Sequence, residues 1–198
     1  VIISIIIGGR LGYVLFYNLS YFLSNPIEIL FIWNGGMSFH GGLLGIIIAT
    51  FIFSKKRDFD KLLLLDVVAC VAPIGIFFGR LANFVNGELY GKPTDLPWAV
   101  TFPLVDDQGR HPSQIYEAFL EGVMLFLILQ LIIKKASYKR GECAAIFLIF
   151  YSIFRIFSEF FREPDQHIGY IFNYFSVGML LSFFTIIAGI LIFIYKKN

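Results

Sequence analysis

The stretch Ile171–Tyr195, IFNYFSVGMLLSFFTIIAGILIFIY, carries no charged side chain. About 20 apolar residues in a helix span the hydrocarbon core of a bilayer, where the backbone must satisfy its own hydrogen bonds. A second stretch, Ile29–Phe53, has His40 as its one ionisable group. Of the 198 residues 58% are hydrophobic, against about half in ordinary soluble domains. The composition thus excludes a water-soluble fold.

Six apolar segments are expected, at 1–17, 37–54, 62–82, 113–133, 142–161 and 172–195. The connections between them alternate in charge. Lys55, Lys56, Arg57 and Lys61 follow the second segment, Lys134, Lys135, Lys139 and Arg140 the fourth, and Lys196 and Lys197 the sixth. The connections 18–36, 83–112 and 162–171 hold only Lys92, Arg110 and Arg162. Basic loops stay in the cytoplasm, so the second set faces outward and the chain begins inside. The expected fold is an all-α polytopic membrane protein forming a single transmembrane domain over 1–198. Its 83–112 loop, with Pro93, Pro97, Pro103 and Pro112, forms a small extracytoplasmic cap in which Trp98–Phe102 reads as a short strand. The chain opens on Val1, inside an apolar run, and reads as a sequence that lacks its first segment, not as one that opens with a signal peptide.

Ionisable residues inside a bilayer are expensive and mark function. Here they are Arg10, His40, Asp66, Arg80, Glu117, Glu121, Arg155 and Glu159. Asp66 lies near the cytoplasmic end of its segment and is expected to face the interface. His40, Arg80 and Arg155 fall near the outer ends of theirs. Arg80 and Asn83 share one helix face, as do Arg155 and Glu159, and Gly41, Gly42 and Gly45 let backbones approach closely after His40. Cations gathered at one depth suggest an anion site, and arginine suits the bidentate binding of phosphate. The phosphate most abundant in this setting is a phospholipid headgroup. Taken singly, each residue also fits an interhelical salt bridge. A transporter remains a further alternative, although the charges lie near one face and no inverted repeat is visible. Cys70 and Cys143 have no metal-type spacing. Neither a metal, a cofactor nor a nucleic-acid partner is expected.

The stretch Gly79-Arg80-Leu81-Ala82-Asn83-Phe84-Val85-Asn86-Gly87-Glu88-Leu89-Tyr90-Gly91 closely resembles the signature of the prolipoprotein diacylglyceryl transferases, with Val85 where isoleucine or leucine is more usual. The blocks Gly8–Tyr13, Gly35–Gly42, Arg110–Glu117 and Phe154–Arg162 resemble the same family in the same order. The resemblance implies seven transmembrane helices, of which this chain would hold six. It implies transfer of the diacylglyceryl group of phosphatidylglycerol to the lipobox cysteine of a prolipoprotein, at the outer face of the bacterial inner membrane. It further implies His40, Arg80 and Arg155 as catalytic residues, and Arg80, Asn83, Asn86, Glu88, Gly91 and Glu159 as substrate-binding or orienting groups. His40 stands either as the general base for the thiol or as a headgroup ligand. His111 is expected to anchor the loop, and Glu117 is given no definite role.

Overall fold

A chain with apolar surroundings satisfies its backbone within each segment. The computed structural model, which describes residues 2–135, 138–163 and 175–195, is accordingly helical in each of the six apolar segments. Among the described residues three helices, Lys61–Val85, Ser113–Ile133 and Gly178–Tyr195, are long and apolar enough to cross a membrane, while the apolar helix Ile2–Leu15 is shorter. The chain divides into two compact units, Val1–Leu64 and Leu65–Asn198.

In the first unit α1 (Ile2–Tyr17) packs on α3 (Phe39–Arg57). Between them lie α2 (Leu19–Ser24) and two short 3-10 turns, Pro26–Leu30 and Ile32–Asn34. The α1–α3 contact is built from glycine. A Cβ on Gly41 would fall on the carbonyl oxygen of Gly8 and 2.8 Å from the Cα of Gly12, and one on Gly45 would fall on the Ser4 carbonyl. Small residues four apart let two backbones touch where lipid supplies no hydrophobic drive. Ser38 caps α3 by accepting from the Gly41 N–H at 3.2 Å. Lys55, Lys56 and Arg57 close its last turn, where cations oppose the helix dipole.

The second unit holds most of α4 (Lys61–Val85), a helix running from Ser113 to Ile133, α7 (Glu142–Glu159) and α8 (Val177–Tyr195). The Ser113–Ile133 helix comprises α5 (Ser113–Glu117), a π-helical stretch Ala118–Met124 and α6 (Leu125–Ile133). Ala69, Leu125, Leu129, Ile132, Cys143 and Ala144 form a buried apolar cluster. Asp66 departs from expectation. It is 2% exposed and accepts from the N–H groups of Gly141 at 2.6 Å and Ala144 at 2.8 Å, and from the Tyr138 hydroxyl. A carboxylate at the N-terminal end of α7 satisfies amides that have no partner within the helix, so Asp66 is drawn inward and not to the interface.

Residues between α4 and α5 fold over irregularly. β1 (Val100–Thr101) pairs antiparallel with β2 (Gly109–Arg110). The strand is shorter than the Trp98–Phe102 expected because turns claim both flanks: the Ala99 N–H donates to Leu96 and that of Val105 to Phe102. Gly91 is stitched to the end of α7 by a bridge to Arg162, and the Lys92 N–H donates to the Phe161 carbonyl at 2.9 Å.

Candidate active site

Three helices of the second unit bring charges together in one buried cluster. Arg80 comes from the last turns of α4, Glu117 and Glu121 from α5 and the π stretch, and Arg155 and Glu159 from α7, with Arg162 just beyond. Arg80 meets Glu117 at 3.0 Å through Nη1 and Glu121 at 3.2 Å through Nη2. Arg155 pairs with Glu117 and with Glu159, and lies 3.9 Å from Glu121. Arg162 stands 3.7 Å from Glu159 and 3.9 Å from Glu117. Glu117 and Glu121 have no exposed side-chain surface, whereas Arg80 is 16% exposed. Among the described contacts, three guanidiniums face three carboxylates, as buried charges require if their desolvation is to be offset. Glu117 is the hinge of the set, with one oxygen toward Arg80 and the other toward Arg155.

One turn along α4 from Arg80, the Asn83 amide donates to Glu88 at 2.9 Å. The chain on either side of Glu88 reverses through two left-handed residues, Gly87 at φ +68° and Leu89 at φ +55°. A left-handed leucine is strained and persists only where its surroundings hold it. Here buried Ser113 donates to the Leu89 carbonyl at 3.0 Å and buried Gln114 to that of Glu88 at 2.5 Å. Asn86 is exposed, its N–H closing the helix on Ala82. Gly91 lies in the stitch: its N–H donates to His111, its carbonyl accepts from Arg110 at 3.0 Å, and a Cβ would strike the His111 and Phe161 backbones.

The structure thus unites Arg80, Arg155 and Glu159 in one cluster and sets Asn83 and Glu88 beside it. His40 is the second residue of α3, in the other unit, and its side chain lies outside the described residues. His111 pairs through Nδ1 with the Tyr116 hydroxyl at 3.2 Å, which also accepts from Trp98 at 2.7 Å. Burial, reinforced by Lys92, lowers its pKa and keeps the ring neutral near pH 7. The partners that sequence reasoning left without a role are Glu117, Glu121 and Arg162. Two carboxylates four apart on one face of an apolar helix were the available signal for the first two.

Chemically, guanidinium donors suit anions, and here they pair with carboxylates. Arg80 has five N–H groups, and the described contacts engage Nη1 and Nη2.

These features define a helical membrane protein with a buried arginine–glutamate site. Residues 1–195 match the family described as Prolipoprotein diacylglyceryl transferase. The phosphatidylglycerol–prolipoprotein diacylglyceryl transferase of Rickettsia bellii is 53% identical over 195 residues, taking in 98% of this chain and 74% of the relative. That of Rhodospirillum rubrum is 52% identical over 196 residues, with 98% and 72% covered. That of Ehrlichia canis is 52% identical over 192 residues, with 95% and 74% covered. The chain belongs to the prolipoprotein diacylglyceryl transferase family.

Proposed function

We propose that this chain transfers the sn-1,2-diacylglyceryl group of phosphatidylglycerol to the lipobox cysteine of prolipoproteins. The observation that carries the reading is the pair Arg80 and Arg155, joined through Glu117 at the helix ends in a chain of this family. The cysteine sulfur attacks the glyceryl carbon that bears the phosphate. A C–S bond forms, the C–O bond breaks, and the electron pair leaves on oxygen as glycerol phosphate. Arg80 and Arg155 hold the phosphate oxygens as charge collects on them. Glu159 orients Arg155. Asn83, Asn86 and Glu88 bind the headgroup hydroxyls, and Gly91 shapes the turn that presents them.

The thiol must lose its proton. A free cysteine has a pKa of about 8.5 and an unperturbed histidine about 6.5, so His40 as a neutral base takes the proton near pH 7. As a headgroup ligand instead, it would affect lipid affinity and spare the chemistry of bound substrate.

The chain forms one transmembrane domain of six spans over 1–198, in the bacterial inner membrane, with the 83–112 cap and the site on the extracytoplasmic side. The asymmetry of its basic loops supports this orientation.

The test is turnover with phosphatidylglycerol and a synthetic lipobox peptide, supplied to right-side-out and inside-out membrane vesicles. The expected result is a diacylglyceryl mass gain on the peptide in right-side-out vesicles only. Arg80→Lys, which keeps the charge and loses the fork, should lower the rate about 100-fold, the usual loss on removing one transition-state donor. Product in inside-out vesicles alone would reverse the orientation, and wild-type turnover in Arg80→Lys would remove the bidentate clamp.

A further inference from the structure

Arg10 lies in the first unit, 5% exposed, on the third turn of α1. Its guanidinium makes five described hydrogen bonds, every one to a backbone carbonyl of the connection that follows. Nε donates to Ile29 at 2.9 Å, Nη2 to Glu28 at 2.7 Å and Phe31 at 3.2 Å, and Nη1 to Gly35 at 2.5 Å and Gly36 at 3.1 Å. The ring of Phe22 covers one face, 5.0 Å from the guanidinium carbon. Arg80 and Arg155 are held by carboxylates. Arg10 instead gathers residues 28–36 into a ring around itself. The nearest acid in that ring, Glu28, directs its carboxylate to the Tyr21 hydroxyl at 2.7 Å.

The ring has a fixed exit. Gly35 and Gly36 are both left-handed, at φ +82° and +79°, and a Cβ on Gly36 would lie 2.5 Å from the Tyr13 ring. The Ser38 N–H then donates to the Gly9 carbonyl at 2.8 Å, beside Arg10 in sequence, and Ser38 caps the helix whose second residue is His40. Five carbonyl acceptors match the five N–H donors of a guanidinium fork, and a lysine ammonium, with three donors on one point, does not match them.

We propose that Arg10 is a positioning residue for His40: its guanidinium fixes the path of residues 28–36 and so the place of the first turn of α3. The inference rests on the reading of His40 as a working residue of the site.

The experiment uses the full chain with phosphatidylglycerol and the lipobox peptide, comparing wild type, Arg10→Lys, Arg10→Ala and His40→Asn. Turnover is measured together with the rates at which diethyl pyrocarbonate modifies His40 and His111 in the same sample. In Arg10→Lys, kcat should fall at least about tenfold, a part of the roughly 10²–10⁴-fold that a well-placed acid–base group supplies. The His40 rate should change while His111 keeps its wild-type rate, and Arg10→Ala should show the same pattern more strongly. An unchanged kcat overturns the proposal, as does a His40 rate that stays constant or moves together with that of His111, which is what general loss of folding produces. His40→Asn tests the underlying reading separately. Full activity there removes His40 from the chemistry, while the His40-to-His111 ratio in Arg10→Lys still reports whether Arg10 sets the geometry.

Discussion

Glu117 has no exposed side-chain surface and faces the guanidiniums of Arg80 and Arg155, with that of Arg162 at 3.9 Å. Breaking a buried ion pair from one side costs about 3–5 kcal/mol, because the remaining charge is left without a counter-charge. In Glu117→Gln, Glu121 and Glu159 still neutralise part of the cluster, so the loss should fall at the lower end, near 3 kcal/mol. In the proposed mechanism the same carboxylate competes with phosphate for Arg80 and Arg155. Glu117→Gln should therefore melt earlier and be inhibited more tightly by glycerol phosphate. Thermal melting and inhibition curves in one detergent check both, and unchanged inhibition would separate Glu117 from the anion site. At this scale the sequence exposed Arg80, Arg155 and Glu159 as charges in apolar runs. Their pairing with Glu117 and Glu121 depends on which helices are neighbours, which no local pattern carries. Arg162 read as a loop residue because it lies past the apolar run, yet the bridge to Gly91 turns it back toward Glu159. Asp66 misled for a related reason: it sits beside a basic loop in sequence, while its partners, Gly141 and Ala144, lie more than 70 residues away.

Among the elements, the glycines of α1 and α3 form the clearest case of sequence becoming packing. Gly41 and Gly42 are adjacent and look alike in sequence. A Cβ on Gly41 collides with the backbone of α1, whereas one on Gly42 meets Ile5 at 3.6 Å, an ordinary contact. Gly41→Ala should cost about 1–3 kcal/mol, as overpacking does, and Gly42→Ala should cost far less. Melting of the two variants side by side decides this, and equal losses would refute the close crossing. The sequence announced that small residues cluster after His40, but not which of them faces α1. The helices were legible because an apolar run in a bilayer has one good backbone solution. The π stretch Ala118–Met124 was not, since nothing in its composition distinguishes it from the α-helix on either side. π segments recur at functional sites, and this one carries Glu121 into the cluster.

For the whole molecule, family and reaction class rested on ordered motifs spread along nearly the full chain, and the match over residues 1–195 bears them out. Without those motifs, cations gathered at one depth in apolar segments point only to an anion site in a membrane protein. The central claim is that sulfur attacks carbon and that phosphate leaves with the headgroup. Phosphorus NMR of a complete reaction with phosphatidylglycerol and the lipobox peptide distinguishes this from attack at phosphorus. The expected result is loss of the phosphodiester signal, growth of a glycerol phosphate monoester in equal amount, and a lipidated peptide free of phosphorus. Phosphorus retained on the peptide would mean attack at phosphorus and would contradict the mechanism, and an unchanged lipid signal with folded protein would contradict the transferase reading itself.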